Sequence, residues 1–353
     1  MRSLSLRKKI LLRIVARVPH CCCRVLAHVP SVRRAALSRL LEDPVLDDRL
    51  IVDMEPRTHV WRDSLALFPV AAPESRVLHE EADLRTHRRY AVLAHWDPQH
   101  IVDPYVLYLA HAIRDLGYAV ILVSDSLDRA TGEDVFAAEL RRISPGYDFA
   151  SWRVAFENYG FLFDADEVLL LNDSIFGPLW PLEPVHARMN ALPCDWWGLS
   201  ESEDPFPHTQ SYYLVFRQTV LGSTLFRNFW QAVDSETDHD IVVMKYEEGL
   251  SHQLHNGVFR VGAYVSPAQF ASMRPRKRRP YTPLYMYWRT LVRRFRFPII
   301  KRDIIMGKHP WNHIQGWRTE LAKTEYPVAL IDAYFRRIGH DGTPPAHKRD
   351  NAS

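Results

Sequence analysis

Three short apolar segments, each followed by a polar cluster that contains aspartate, constrain the fold more than any other feature of this sequence. The segments are Tyr90 to Ala94, Tyr118 to Val123 and Glu167 to Leu171, and the clusters that follow them are His95-Trp96-Asp97, Ser124-Asp125-Ser126 and Asn172-Asp173-Ser174. Helical patterns separate the segments. This alternation predicts an α/β fold whose mostly parallel sheet is flanked by helices and binds its ligand at the carboxyl ends of the strands.

The remaining periodic segments extend the same pattern. A helix is predicted to begin at Asp103-Pro104 and to end at Gly117, because apolar residues recur at helical spacing between them. Further helices are predicted at Glu133 to Arg142, Phe149 to Tyr159, Leu182 to Met189, Val220 to Val233 and Ile241 to Leu254, and further strands at Ser211 to Phe216 and Val258 to Val265. Residues 42–85, which contain four prolines, are predicted to form an irregular connector.

The charged residues are segregated along the chain, although the formal net charge is only +3. Residues 1–41 contain ten basic residues and no acidic one, and Arg274 to Arg302 contain eleven basic residues, again without an acidic one. The rest of the chain carries 24 basic against 42 acidic residues, a formal charge of −18. Because Ile10, Ile14 and Val18 form an apolar stripe among these charges, the N-terminal segment is predicted to be a basic amphipathic helix. Such a helix can bind an anionic membrane, or it can pack on the protein with a solvated face.

Composition excludes several classes of protein. With 47% hydrophobic and 12% aromatic residues in 353 positions, the chain can bury a large core and is not disordered as a whole. No stretch of 18 uninterrupted apolar residues is present, and Arg13 and Arg17 interrupt the segment that would form the apolar region of a signal peptide. The four cysteines form no CxxC pair. We therefore expect a protein of the reducing cytoplasm.

The Asn172-Asp173-Ser174 cluster is the strongest candidate for chemistry. It follows a buried strand directly, and Gly177-Pro178 then turns the chain away. A divalent cation such as Mg²⁺ or Mn²⁺ prefers hard oxygen ligands and leaves positions free for a diphosphate, so Asp173 can contribute to a metal site. The alternative is that Asp173 only caps the turn.

Five segments in order carry a resemblance that extends over about residues 88–320. They are Gly146 to Arg153, Asp166 to Leu179, Cys194 to Leu199, Gln210 to Phe216 and Tyr246 to Ser251. Together they resemble the successive motifs of the rhamnan synthesis protein F family.

The resemblance implies a glycosyltransferase with a GT-A-like, Rossmann-related fold that transfers a sugar, rhamnose by analogy with the family, from a nucleotide-sugar donor to a growing lipid-linked surface polysaccharide. Asn172-Asp173-Ser174 then occupies the place of the Asp-x-Asp metal motif, with Asn172 where the first acid is expected. Because Asn172 holds a cation less strongly than an acid does, a non-catalytic module that binds glycan or lipid carrier is the alternative. The expected division is a basic segment and connector at 1–85, the catalytic domain at 86–268 and a basic aromatic extension at 269–353.

Each candidate residue receives an expected role. The expected catalytic base is Glu247, which the resemblance favours, and Asp195 is the reserve candidate. The alternative for Glu247 is that its negative charge only interacts favourably with the start of a helix. Asp173 is the expected metal ligand, and Trp196, Trp197 and Glu201 are expected to bind the acceptor. The residues expected to hold the donor nucleotide are polar and lie at strand ends or at a helix start: His95, Asp97, Ser124, Asp125, Asp148, Arg153, Asn172 and Ser174. Asp148 can alternatively cap its helix.

The two basic segments indicate where such an enzyme would work. We expect them to bind the anionic inner face of the plasma membrane, where a lipid-linked acceptor would be found. Nucleic acid is not expected as a partner, because the acidic body would repel its phosphates.

Overall fold

The computed structural model describes residues 69–203, 207–257, 259–267, 282–308 and 314–340. The basic N-terminal helix predicted within residues 1–41 therefore lies outside the described residues. The described strands are β1 (Ser75–Glu80), β2 (Arg89–His95), β3 (Ala119–Ser124), β4 (Phe136–Arg142), β5 (Glu167–Asn172), β6 (Ile175–Phe176), β7 (Trp196–Ser202), β8 (His208–Thr209), β9 (Tyr213–Arg217), β10 (Val261–Val265) and β11 (Ile300–Lys301).

Helices connect most of these strands. They are α1 (Pro104–Asp115), α2 (Asp148–Asn158), α3 (Glu183–Asn190), α4 (Gln218–Leu221), α5 (Thr224–Gln231), α6 (His239–Val242), α7 (Gly249–Asn256), α8 (Pro283–Met286), α9 (Trp288–Arg294), α10 (Arg302–Ile305), α11 (Trp317–Leu321) and α12 (Ala329–Arg337). Between α6 and α7, Val243–Glu248 is a π-helical segment, so one helical rod extends from His239 to Asn256. None of the helices in the described part of the chain has the length and apolar composition to cross a bilayer.

The main sheet is mixed, and its centre is parallel. In the described residues its strands follow the order β1-β4-β3-β2-β5-β9-β7-β10, with β8 paired to β7. Strands β4, β3, β2 and β5 are mutually parallel, whereas β1 and β9 run in the opposite direction. Because β7 is antiparallel to β9, it has the same direction as β5. The α/β fold with a mostly parallel, helix-flanked sheet is therefore confirmed.

Both faces of the sheet are covered, which explains the uninterrupted apolar runs of its central strands. In β2, Ala91 and Leu93 belong to the core on one face, while Tyr90, Val92 and Ala94 belong to the core on the other. This alternation is the two-residue period of a strand. The parallel strands β2, β3, β4 and β5, together with β7, all end at one end of the sheet, which we call the carboxyl end; the opposite one is the amino end.

The C-terminal part of the chain shares the core of the main sheet. Trp288, Leu291 and Phe335 lie in the same buried cluster as Leu93 of β2. Strand β11 also forms a two-stranded antiparallel ribbon with β6, which follows the Asn172-Asp173-Ser174 turn directly. The ribbon holds the residues around Lys301 beside that turn.

The sequence predictions are wrong at two places in this fold. Residues 133–142 were expected to be helical, but Phe136–Arg142 is strand β4. Ala, Glu, Leu and Arg favour a helix locally, yet β4 is hydrogen-bonded to a strand on each side, and that pairing outweighs helix propensity. The segment 42–85 was expected to be irregular, but it contributes β1 to the edge of the sheet.

Candidate functional site

The ends of β2, β3 and β5 lie next to one another at the carboxyl end of the sheet. In register, His95 is opposite Ser124, and Ala94 is opposite Asn172. His95 Nδ1 lies 2.9 Å from Ser124 Oγ, and its Nε2 lies 3.1 Å from the carbonyl oxygen of Ile101. The expected donor-binding residues of these three strands therefore meet, although both ring nitrogens of the buried His95 already have partners in the protein.

The carboxylate of Asp97 is hydrogen-bonded to other groups of the protein. Its carboxylate accepts hydrogen bonds from the backbone N–H groups of Gln99 and Ile101 and from the guanidinium of Arg337 in α12, at 2.5 Å for the shortest. Arg337 also pairs with Asp103. Asp97 thus fixes the loop after β2 to the last described helix, and its oxygens are occupied.

Asn172 joins β5 to the start of α2. Its Nδ2 donates to Asp148 Oδ2 at 2.6 Å, and its Oδ1 accepts from both the backbone N–H and the hydroxyl of Ser174, at 3.2 and 2.6 Å. The side-chain oxygen of Asn172 is therefore committed to the turn. Asp148 does not cap α2 with its side chain, since the residue before the helix is Tyr147 and no side-chain cap bond forms there.

Asp173 is buried in the same turn. Its Oδ2 accepts a hydrogen bond of 3.4 Å from the backbone N–H of Trp96 and lies 3.8 Å from a guanidinium nitrogen of Arg302. Its backbone carbonyl accepts from the hydroxyl of Tyr105 in α1, which in turn accepts from Arg302 at 2.9 Å. The turn is consequently held from both sides, by β2 and by the segment that follows β11.

The environment of Asp148 makes it a proton acceptor near neutral pH. Burial, and next the negative charge of Asp173, raise the pKa of Asp148 to about 6, against the hydrogen bond from Asn172 and the charges of Lys301 and Arg142. Asp148 is only half-buried by exposed area. A carboxylate with a raised pKa that solvent can still reach is suited to take a proton from a bound hydroxyl group.

Glu247 lies in the π-helical segment and not at a helix start. Its Oε1 is 3.0 Å from His208 Nε2, and its Oε2 accepts from the backbone N–H and the hydroxyl of Ser211. Burial alone would raise its pKa, but His208, the charge of Lys301 and the Ser211 bond lower the pKa to about 2. Such a carboxylate is a weak base, and the expected favourable interaction with a helix start is wrong because the helical rod begins at His239.

Replacing Glu247 with glutamine is expected to destabilise the fold in a pH-dependent way. The pKa of Glu247 is lower in the folded chain than its ordinary 4.5, so its stabilisation is full above about pH 4.5 and is lost as pH falls towards about 2. The difference corresponds to at most about 3 kcal/mol. Urea unfolding should show Glu247→Gln less stable than the wild type at pH 7, with a gap that narrows below about pH 4.5. Glu325→Gln, at an exposed site, is the control; a gap that does not depend on pH contradicts the prediction.

Lys301 and Arg302 complete the group at the carboxyl end, and sequence reasoning did not assign them to it. The positive charge of Lys301 lowers the pKa of both Asp148 and Glu247, so Lys301 lies within electrostatic reach of each carboxylate. Arg142, at the end of β4, pairs with Asp125 at 2.7 Å. In the sequence, Lys301 and Arg302 were recognisable only as members of a basic cluster. Arg142 was recognisable only as the last residue of a predicted helix that is in fact strand β4.

Glu201 and Asp125 also lie at the carboxyl end. Glu201 is opposite Thr209 where β7 meets β8, and burial, with the charge of Glu203, raises its pKa against the effect of His208. Burial raises the pKa of Asp125 as well, although the charges of Arg142 and His95 oppose the change. Two carboxylates with raised pKa values, Asp125 and Asp148, therefore lie close enough to Asp173 to interact with its charge.

Two expected site residues, Asp195 and Arg153, lie elsewhere or are inaccessible. Asp195 precedes β7 at the amino end and binds Arg260 through both carboxylate oxygens, so it does not meet Asp173. Arg153 is buried and donates to Glu157 and to the backbone carbonyls of Val70 and Val233, so its donors are not available to a diphosphate. Asp195 and Arg153 were misplaced because a position beside a motif does not reveal which end of the sheet it occupies.

The expected sugar-stacking tryptophans are core residues. Trp196 and Trp197 are 1% and 0% exposed and lie in the cores on opposite faces of the sheet. Trp196 stacks on Phe216, and Trp197 packs against His186. The tryptophan that is exposed at the carboxyl end is Trp96, with 56% of its surface accessible, and its backbone N–H binds Asp173.

The oxygen ligands around Asp173 have partners within the protein. Asn172 Oδ1 accepts two hydrogen bonds within the turn, and Asp173 is paired with Arg302. In residues 69–340 as far as they are described, the group of three acidic or histidine side chains close enough to share an ion is Glu81, Asp83 and His87, near β1. That group does not include Asp173.

Comparison with known proteins assigns the sequence to a family. No protein in the curated set matches the sequence. The solved structure titled "Crystal Structure of A197 from STIV" is 10% identical, with a TM-score of 0.27, over 50% of this chain and 82% of that one, and a likeness this low supports no inference. The profile described as Rhamnan synthesis protein F matches residues 121–343, which is more than half of the sequence. The chain therefore belongs to the rhamnan synthesis protein F family.

Proposed function

We propose that the protein is a glycosyltransferase that moves a sugar, rhamnose in the first instance, from a nucleotide-sugar donor to a lipid-linked surface polysaccharide. The observation that carries the proposal is the group of ionisable side chains at the carboxyl end of the sheet, where α/β folds of this kind bind their ligands. The charges of Asp173 and Lys301 act on Asp148 there, and the charge of Lys301 also acts on Glu247. The family name supports the choice of rhamnan synthesis.

For the proton acceptor, the geometry favours Asp148 over the expected Glu247. Both oxygens of Glu247 are bound to His208 or Ser211, whereas Asp148 accepts one hydrogen bond, from Asn172. In the transfer, the acceptor hydroxyl oxygen bonds to the anomeric carbon while the bond from that carbon to the diphosphate oxygen breaks. The hydroxyl proton passes to Asp148, and the nucleoside diphosphate leaves.

A divalent cation at Asp173 stays a prediction, and no step above depends on it. Asp173 also has a role without the ion, because its carboxylate holds the backbone of Trp96 and the guanidinium of Arg302 in place. An Mg²⁺ ion would add charge at the diphosphate, as such ions commonly do with one or two carboxylates and substrate phosphates.

Turnover across a panel of nucleotide sugars tests the proposal directly. Purified protein is incubated with each donor and a lipid-linked oligosaccharide acceptor, with Mg²⁺, Mn²⁺ or a chelator, and release of nucleoside diphosphate is measured. We expect one deoxyhexose donor to be consumed, and Asp173→Ala to be strongly impaired. The absence of turnover with every donor, together with binding of oligosaccharide but of no nucleotide, would instead support the alternative of a non-catalytic glycan-binding module. The commitment of Asn172 Oδ1 to the turn is the observation that favours that alternative.

Trp96 is proposed as the surface on which an acceptor sugar ring stacks. It is exposed and adjoins Asp173, and aromatic faces suit the apolar faces of sugar rings. Trp96→Ala should raise the acceptor KM by roughly 3- to 10-fold, equivalent to about 0.5–1.5 kcal/mol of lost contact, with little change in donor KM. The control is Leu192→Ala, which removes another exposed apolar side chain, after α3. An increase in donor KM alone would contradict the acceptor role.

We also propose that the basic segments bind an anionic membrane. Fewer of their charges can take part in this binding than the sequence alone indicates. Within the described part of the second cluster, Arg293 pairs with Glu320, and Lys301 and Arg302 lie at the proposed site. Each Lys or Arg that lies near an anionic lipid surface contributes about 1 kcal/mol to binding. Co-sedimentation with liposomes that does not depend on anionic lipid would refute this binding.

A further inference from the structure

The two cations of the β11 segment, Lys301 and Arg302, lie beside the Asn172-Asp173-Ser174 turn. Lys301 is opposite Ile175 in the β6–β11 ribbon, and the backbone N–H of Arg302 donates to the carbonyl oxygen of Ser174 at 2.8 Å. Gly177 allows this approach, since a Cβ there would lie 2.8 Å from the carbonyl oxygen of Pro298. The backbone therefore fixes the position of both cations relative to Asp173.

The two side chains have different surroundings. Arg302 is bound to Tyr105 and is close to Asp173, and its guanidinium lies over the ring of Tyr334, so its position is set by the protein. Lys301 lies over the rings of Tyr212 and Tyr285, with its ammonium nitrogen 5.3 and 5.7 Å from their centroids. Aromatic faces attract a cation without neutralising it.

The carboxylates near Lys301 are paired with other groups. Glu247 is bound to His208 and Ser211, Asp173 to Arg302, and Asp148 to Asn172. Among the described residues, none of these three carboxylates lies within 4.0 Å of the Lys301 ammonium group. Lys301 is thus a half-buried cation at the carboxyl end that interacts with Tyr285 but is not ion-paired to any of these three carboxylates.

We propose that Lys301 binds the diphosphate of the nucleotide-sugar donor and supplies positive charge at the place where a divalent cation would otherwise act. The inference rests on the proposed function, since it concerns the same site and names the group that holds the donor. A lysine is a compact cation that suits phosphate oxygens. During transfer, negative charge develops on the diphosphate oxygen that leaves the sugar, and the ammonium group of Lys301 stabilises it there.

Binding measurements on nucleotides test the inference without requiring turnover. Calorimetry of the full chain with UDP, dTDP and GDP, with their monophosphates and with inorganic pyrophosphate, in the presence of a chelator or of Mg²⁺, compares the wild type with Lys301→Met. We expect the variant to lose about 10- to 100-fold in affinity for the diphosphate that binds and for pyrophosphate, as expected for a charge-assisted contact, and less than about threefold for the monophosphate.

Two further variants separate binding from folding. Lys301→Arg keeps the charge and should retain diphosphate affinity within a few-fold. Lys323→Met removes an exposed lysine that pairs with Glu320, and should bind like the wild type. Equal loss for diphosphate and monophosphate, or no loss in Lys301→Met, overturns the inference while leaving the proposed function standing if the wild type binds nucleotide. Failure of the wild type to bind any nucleotide contradicts both.

Discussion

Replacing Asp148 with asparagine should reduce sugar transfer by about 100-fold or more, the usual contribution of a positioned general base. The change preserves the size of the side chain, and an asparagine oxygen can still accept the hydrogen bond from Asn172 Nδ2. The pH profile gives a second readout. Because a base must be deprotonated and the pKa of Asp148 is about 6, kcat/KM of the wild type should fall as pH drops through 6, and this limb should be absent from the residual activity of the variant.

The matched control is Glu247→Gln, which changes the other candidate base. Measured where the variant remains folded, it should retain transfer within about tenfold, since Glu247 is bound to His208 and Ser211. Donor turnover and unfolding are measured on the same preparations. The opposite ranking, with Glu247→Gln inactive and Asp148→Asn active, would contradict the assignment and restore Glu247 as the base.

Arg142→Met should cost about 3–5 kcal/mol of stability, because it removes a buried guanidinium with its hydrogen bonds and leaves the half-buried carboxylate of Asp125 without its partner. Arg142 has a side chain 2% exposed and binds Asp125, the hydroxyl of Ser151 and the carbonyl oxygens of Ser144 and Gly146. The loss would be measured by urea unfolding at pH 7.

Two comparisons make this stability prediction specific. Arg141→Met removes the neighbouring arginine, which pairs with the exposed Asp128, and should cost less than about 1 kcal/mol. The double variant Asp125→Asn with Arg142→Met should recover part of the loss, since no unpaired charge remains. If Arg141→Met and Arg142→Met lower the free energy of unfolding by the same amount, the pair of Arg142 with Asp125 does not stabilise the carboxyl end of the sheet.

The sequence predicted the central sheet well for a physical reason. Strands such as Tyr90 to Ala94 are covered on both faces, so their burial produces a continuous apolar run, and the polar residues begin where the strand ends. Because polar residues directly follow these parallel strands, the sequence also predicted that His95, Ser124 and Asn172 lie together. The strand at Phe136–Arg142 was missed because its side chains favour a helix, and no local pattern indicates that it pairs with β3 and with the distant β1.

The misassigned site residues share another cause. Trp196 and Trp197 were chosen for their chemistry, but β7 is an internal strand between β9 and β10, and both of its faces are buried there. Lys301 was grouped with a basic cluster, because no local pattern indicates that β11 pairs with β6, more than a hundred residues away. Which end of a sheet a residue occupies, and what lies across from it, depends on these long-range pairings.

A crystal structure with the bound nucleoside diphosphate tests the central claim most directly. Our account predicts that the diphosphate lies at the carboxyl end of the sheet, beside Asp173 and within hydrogen-bonding distance of Lys301, with Asp148 facing the sugar position. A nucleotide bound instead at the amino end, in the 440 Å³ pocket lined by Asp195, Arg217 and Arg260, would contradict it.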